Sequence, residues 1–261
     1  MSSPLAAPDP QAAAAPDLDS SAASLPLRPW GAGMTLVFGG VIFLAYSILQ
    51  GMALVPVLLF QLAQTGGKLP KVGGVPMTGL SLAVAVAVSC PAMLFLCGLF
   101  AALRRGPSIG DYLALKPVRW TTLTAWTIGM IVLSLTLSVL GDLLGRSAPE
   151  FMVATYSTAG HLPLFWAAVA IAAPAAEEAF FRGFLFPGLL QSRLGRTGTV
   201  LLTSLTFTIV HGGQYDAFEL FQVGLVGIAL GIARLRTGSL LPPLAMHVTL
   251  NLLSLTLFAL Q

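Results

Sequence analysis

Apolar residues fall in long unbroken runs along this chain, and polar residues collect in the connections between the runs. The runs are longer than a half-buried strand and show no alternation of apolar and polar positions. A bilayer needs about 20 apolar residues for each spanning helix, so the runs predict transmembrane helices. Seven segments are defined in this way, at about 31–63, 78–103, 120–145, 162–190, 198–211, 217–236 and 239–260.

The predicted fold is an all-α, polytopic transmembrane helical bundle of about 7–8 helices. The range reflects the first segment, which at about 33 residues is long for one span and either tilts or breaks near Gly51. Three regions are expected: an Ala- and Pro-rich disordered tail at 1–29, N-terminal transmembrane helices at 30–159 and a C-terminal transmembrane core at 160–261. The tail lacks the basic and apolar regions of a signal peptide.

The composition agrees with a lipid environment. Hydrophobic residues make up 56% of the chain and charged residues 9%, whereas an average soluble domain carries about a quarter charged residues. The formal charge of +3 comes from Lys and Arg spread between the apolar runs, which is typical of topology signals and argues against a nucleic-acid partner. The expected partner is therefore the lipid bilayer.

The distribution of cations predicts the orientation in the membrane, because Lys and Arg favour cytoplasmic connections. With the N-terminus inside, nine cations lie in inside connections and three in outside ones. The inside cations are Arg28, Arg104, Arg105, Lys116, Arg119, Arg193, Arg196, Arg234 and Arg236, and the outside ones are Lys68, Lys71 and Arg146. We predict a multi-pass protein of a prokaryotic-type cytoplasmic membrane, with the N-terminus inside.

Three charged residues interrupt the apolar segment 162–190: Glu177, Glu178 and Arg182. A charge at the bilayer centre costs about 2.5–3.5 kcal/mol on insertion scales, so such residues usually face a polar cavity and mark function. Glu178 and Arg182 are spaced i, i+4 and share one helix face, which favours a structural ion pair. Glu177 is turned about 100° away from that face and is left free to act as a general base.

The last segments add two imidazoles and an amide. His211 ends one apolar segment, and His247 and Asn251 lie i, i+4 on the last one. Together with Glu177 they suit hydrolysis by activated water, with Glu177 and His211 deprotonating water while His247 and Asn251 donate hydrogen bonds to an oxyanion. The alternative is a Zn²⁺ ion bound by Glu177, His211 and His247 with an open fourth position.

These residues form three short motifs that resemble those of one family. The run from Glu177 to Arg182 resembles the EExxxR motif of the CaaX-protease and bacteriocin-processing (CPBP) membrane family, which includes type 2 CaaX prenyl endopeptidases and is also called the Abi domain. Phe207–His211 resembles its FxxxH motif and His247–Asn251 its HxxxN motif. The resemblance covers about residues 160–255 and implies an intramembrane endopeptidase with a catalytic core at 160–261.

The resemblance implies that Glu177 is the catalytic base, that His211 helps to activate water, and that His247 and Asn251 line the oxyanion site. It leaves the metal open, because members have been described both as glutamic and as metal-dependent proteases. We favour no cofactor, since no second histidine follows Glu177 in the manner of HExxH. The expected substrate is a peptide or protein, lipidated or membrane-bound in some members of the family.

Two other functions fit parts of the pattern. Intramembrane Glu, Arg and His also build proton relays, which would make the chain an ion- or proton-coupled transporter. A protein can also keep a fold without its catalytic activity, which would make this chain a non-catalytic immunity or scaffold protein. No internal repeat favours a transporter, and every motif residue required for catalysis is present.

The linear segments leave one geometric difficulty. By helix rise, Glu177 lies about 22 Å from the outer end of its segment and His211 about 20 Å from the inner end of its own. Straight membrane-spanning helices would hold the two residues at different depths. Gly212 and Gly213 would remove the conflict if they ended the His211 helix early.

Overall fold

A computed structural model describes residues 28–69, 71–72 and 75–260. The predicted tail at 1–29 therefore lies almost entirely outside the described residues. The helices are α1 (Ala32–Gln64), α2 (Gly79–Ala102), α3 (Ile109–Tyr112), α4 (Trp120–Leu143), α5 (Glu150–Ser157), α6 (Leu162–Leu190), α7 (Gly195–Val210), α8 (Ala217–Thr237) and α9 (Leu241–Ala259). The prediction of an all-α bundle is confirmed, and each predicted segment forms a helix.

The first apolar segment forms one helix of 33 residues, without a break at Gly51. It is followed by a small antiparallel hairpin in which strand β1 (Lys71–Val72) pairs with strand β2 (Val75–Pro76). In the described part of the chain, six helices are long and apolar enough to cross a membrane. Helix α7 has 16 residues and is shorter than these.

Helix α6 carries Glu177, Glu178 and Arg182, and it changes its winding along its length. It is α-helical at Leu162–Trp166, Ala173–Glu178 and Phe186–Leu190, and π-helical at Ala167–Ala172 and Ala179–Leu185. A π-helix bonds each carbonyl to the N–H five residues on, and such turns are frequent at functional sites.

Each π-helical stretch of α6 ends two residues before a proline, Pro174 or Pro187. Proline has no N–H and its ring crowds the carbonyl of the preceding turn, so a wider turn relieves the clash. In the first stretch the N–H of Ala173 still bonds the carbonyl of Ala168, so the next carbonyl, that of Val169, would need the N–H of residue 174. The corresponding carbonyl before Pro187 is that of Arg182. Both carbonyls need donors from outside α6.

Glycines on α8 allow α7 to approach closely. A Cβ atom at Gly227 would lie 3.3 Å from the Cβ of Ser204, and one at Gly231 would lie 3.0 Å from a methyl group of Val200. The close contact of α7 and α8 at these two positions therefore leaves little room for a larger side chain. The backbone of α8 also contacts α6, because the carbonyl oxygen of Gly227 accepts a hydrogen bond from Arg182.

Aromatic side chains fill the core around the middle of α6. Phe180, Phe181 and Phe184 are all buried, and they meet residues of α1, α2 and α7. The rings of Phe181 and Phe207 pack edge to face with centroids 5.4 Å apart. This core fixes α6 against α7 at the level of the charged residues.

Candidate active site

A cavity of about 550 Å³ opens beside α6. Its lining includes four of the predicted site residues, Glu177, His211, His247 and Asn251, but not Glu178 or Arg182. The side chain of Glu177 is 22% exposed, whereas those of Glu178 and Arg182 are fully buried. The two adjacent carboxylates are therefore divided between the cavity and the protein interior, the arrangement that their helical spacing suggested.

Glu178 and Arg182 form a buried ion pair. Arg182 Nη1 donates to Glu178 Oε1 at 3.0 Å, and Nη2 donates to the carbonyl oxygen of Gly227 at 2.9 Å. The guanidinium also lies over the ring of Phe207, 4.7 Å from its centroid. A buried charge needs such partners, because desolvation of an isolated ion costs several kcal/mol. The pair thus joins α6 to α7 and α8.

His247 lies between the two glutamates. Its Nδ1 is 3.0 Å from Glu178 Oε1, and its Nε2 is 3.8 Å from Glu177 Oε2. Because a carboxylate only accepts hydrogen bonds, the contact at 3.0 Å places a proton on Nδ1. In the neutral ring Nε2 then carries a lone pair directed toward Glu177 and the cavity. Glu178, expected only to pair with Arg182, also fixes the tautomer of His247.

His211 is oriented by its own helix. Its Nδ1 lies 2.7 Å from the carbonyl oxygen of Phe207, which can only accept, so Nδ1 donates and Nε2 keeps a lone pair. The ring is parallel to that of Tyr215, with centroids 6.1 Å apart. Helix α7 ends at Val210, before the exposed Gly212 and Gly213, as the early-termination argument required.

Asn251 reaches back to α6. Its Nδ2 donates to the carbonyl oxygen of Val169 at 2.8 Å, which supplies the donor that Pro174 lacks. An amide nitrogen has two hydrogens, so the second one remains for a ligand in the cavity that Asn251 lines. Asn251 thus has a structural contact in addition to the predicted oxyanion contact.

Zinc needs three or four convergent Cys, His, Asp or Glu ligands. Within the described ranges no group of three such side chains is placed to hold a metal ion, and this includes the alternative set of Glu177, His211 and His247. The side chains as arranged in the described residues do not fit a zinc site.

Several residues near the site were not predicted from the sequence. Helix α1 adds Tyr46 and Gln50 to the cavity wall, and the α7–α8 connection adds Tyr215. Burial and, less strongly, the carboxylates of Glu219 and Glu177 raise the pKa of Tyr215, so its hydroxyl remains a neutral donor. Arg234, counted above among the inside cations, is only 7% exposed and bonds to α6. Tyr46, Gln50 and Tyr215 belong to no recognisable motif. The one signal for Arg234 in the sequence is its position within a predicted helix.

The comparison with protein families identifies the segment that holds this site. The family described as type II CAAX prenyl endopeptidase Rce1-like matches residues 159–253. Residues 159–253 of this chain are thus similar to the Rce1-like family. The match spans α6 to most of α9 and includes every motif residue discussed above, as the CPBP resemblance predicted. The matching family is a family of proteases. The match and the six apolar helices of the described residues together show that the chain is a multi-pass integral membrane protein.

A curated protein is similar to half of the chain. An "Uncharacterized 24.3 kDa protein" of Escherichia coli is 31% identical over 135 residues, which are 50% of this chain and 62% of that protein. The chain thus spans less than two thirds of the length of this relative. No solved structure matches the chain.

Proposed function

We propose that this protein is an intramembrane endopeptidase that hydrolyses a peptide bond with water activated by Glu177 and His211. The observation that carries the proposal is the division of the two glutamates, with Glu177 on the cavity beside two imidazoles and an amide while Glu178 is buried on Arg182. A purely structural cluster would not need a free carboxylate on a cavity of about 550 Å³. The similarity of residues 159–253 to a family of proteases supports the same reaction.

The first step is attack by water. A water molecule in the cavity donates one hydrogen bond to Glu177 and another to the lone pair on His211 Nε2. Glu177 takes the proton as the oxygen of water forms a bond to the peptide carbonyl carbon. The carbonyl oxygen becomes an oxyanion, which accepts a hydrogen bond from the second amide hydrogen of Asn251.

The second step returns the proton to the substrate. Glu177 Oε2 lies 3.8 Å from His247 Nε2, so the proton passes to His247, while Glu178 holds Nδ1–H and stabilises the resulting cation. The Nε2–H donates to the oxyanion and then to the amide nitrogen, and the C–N bond breaks. The sum of the steps adds one water across the peptide bond. Glu177 and His247 thus exchange roles as base and acid through one proton.

Substrate and activity are tested together by comparative proteomics of membrane fractions from cells that express wild type or Glu177→Ala. Shortened peptides present only with wild type support the proposal and identify the cleavage site. Glu150→Gln is the matched control, because Glu150 is an exposed acid at the start of α5 outside the site. Identical peptide profiles for wild type and Glu177→Ala, at equal protein levels, would contradict the proposal.

A further inference from the structure

Pro187 leaves a carbonyl group of the active-site helix without its helical partner. The π-helical stretch Ala179–Leu185 contains Arg182, and its ladder pairs each carbonyl with the N–H five residues on. For Arg182 that residue is Pro187, which has no N–H. Within a membrane protein a backbone acceptor without a donor costs free energy, so another group must supply the hydrogen bond.

Arg234 of α8 supplies it. Its Nε donates to the carbonyl oxygen of Arg182 at 2.9 Å, across 52 positions of sequence. The guanidinium lies over the ring of Phe186, 5.3 Å from the centroid, and the residue is 7% exposed. A cation that only set the topology would be solvated, as the exposed Arg236 is two residues later in the last turn of α8.

Helix α8 therefore holds Arg182 at two points. The carbonyl oxygen of Gly227 accepts from the guanidinium of Arg182, and Arg234 donates to its backbone. Gly227 and Arg234 are seven residues apart, two helical turns, and so share one face of α8. The contact with Gly227 fixes the guanidinium of Arg182, and the contact with Arg234 fixes its backbone.

We infer that Arg234 is a positioning residue of the active site, acting through the Arg182 carbonyl that Pro187 leaves unpaired. The contacts continue from Arg182 Nη1 to Glu178 Oε1 and from Glu178 Oε1 to His247 Nδ1, each at 3.0 Å. A shift of the Arg182 backbone therefore reaches the imidazole that returns the proton. The inference rests on the proposed function for its kinetic consequence, but its geometry can be tested without a substrate.

The decisive test replaces Arg234 with a backbone N–H as the hydrogen-bond donor to the Arg182 carbonyl. Arg234→Met removes the hydrogen bond, and Pro187→Ala added to it restores an N–H at the position that the π-helical ladder requires. The four proteins are wild type, Arg234→Met, Pro187→Ala and the double variant, with Arg236→Met as the control for loss of a cation on the same helix. Each is placed in lipid nanodiscs with ¹⁵N-labelled histidine. The chain has three histidines, and the His247 signal is assigned with His247→Gln.

The first readout is the ¹⁵N signature of the His247 ring, which needs no substrate. Wild type and Arg236→Met are expected to show Nδ1 protonated, Arg234→Met a mixture of tautomers, and the double variant the wild-type signature. The inference is overturned if Arg234→Met keeps the wild-type signature, or if the double variant folds and resembles Arg234→Met. Should Arg234→Met not fold, Arg234→Lys, which keeps a donor, replaces it. A wild-type ¹⁵N signature of His247 in Arg234→Lys supports the inference, and a mixture of tautomers in that variant overturns it.

The second readout is turnover of a peptide identified by the membrane proteomics. Misplacement of a catalytic group by about 1 Å can cost about 100-fold, so kcat of Arg234→Met is expected to fall by about 10- to 100-fold with KM changed by less than about twofold. The double variant is expected to regain most of the loss. If no variant or wild type cleaves any peptide, the proposed function fails while the ¹⁵N readout still decides the role of Arg234.

Discussion

Replacement of Asn251 by alanine should produce two effects that a second substitution separates. Asn251 donates one amide hydrogen to the Val169 carbonyl and, in the proposed mechanism, the other to the oxyanion. Asn251→Ala removes both hydrogen bonds. Adding Pro174→Ala provides an N–H for the Val169 carbonyl but no donor to the cavity, so only the structural loss should be recovered.

The magnitudes follow from the kind of contact. An interhelical hydrogen bond within a membrane protein contributes about 0.6 kcal/mol on average and about 1.7 at most, so loss of the Val169 contact should cost about 1 kcal/mol of stability. Removal of one oxyanion donor costs about 100- to 1,000-fold in kcat. The structural effect is therefore small and the kinetic effect large.

The assay combines thermal unfolding in detergent with kcat on a peptide identified from membranes, for wild type, both single variants and the double variant. Stability should return in the double variant while kcat stays at the level of Asn251→Ala. Ser254→Ala is the control, because Ser254 lines the same cavity on the same helix. Full recovery of kcat in the double variant would refute the oxyanion role of Asn251. Failure to recover stability would refute a stabilising role for its hydrogen bond to the Val169 carbonyl.

Three further outcomes are expected. Glu178→Gln leaves Arg182 as an uncompensated buried cation, so stability should fall by about 3–5 kcal/mol in denaturant titrations, and a loss below about 1 kcal/mol would contradict the buried pair. Gly79→Ala should sharply reduce the folded yield, because a Cβ there would lie 1.9 Å from the Thr155 carbonyl oxygen, whereas Gly98→Ala meets nothing within 4 Å and should not. Chelation should leave turnover unchanged, and loss of activity that only added zinc restores would revive the metal alternative.

Much of the architecture could be predicted because hydrophobic patterning dominates membrane helices. The predicted segments 78–103 and 217–236 differ by about one residue from α2 and α8. The first segment remained ambiguous, since a run of 33 residues is compatible with one tilted helix or two short ones. Composition carries no information about which of these packs better against α2.

Glu177 and His211 were predicted to lie at different depths because their distances refer to opposite ends of their two segments. Helix α6 has 29 residues and is longer than a bilayer-spanning helix needs to be, while α7 has 16 residues and is shorter than one. From the connection that joins the two helices, Glu177 is about 20 Å along α6 and His211 about 24 Å along α7 by α-helical rise. The two residues therefore meet at one level, which helix lengths alone could have shown.

The interactions around the site were less predictable. The i, i+4 spacing of Glu178 and Arg182 indicated their contact, but nothing local indicated that His247 joins the same carboxylate across 69 positions. The role of Arg234 was hidden because a cation two residues from Arg236 resembles a topology signal. Pro174 and Pro187 were the available clue, since each removes a donor that a distant side chain must replace.

Hydrolysis at Glu177 is tested most directly with purified protein in water enriched in ¹⁸O. Wild type is expected to cleave a peptide identified from membranes and to place one ¹⁸O in each new terminal carboxylate, as attack by water requires. Glu177→Gln, which keeps the size of the side chain but not its basicity, is expected to lose at least about 100-fold in kcat. Turnover by Glu177→Gln equal to that of wild type would contradict the assignment of Glu177 as the catalytic base.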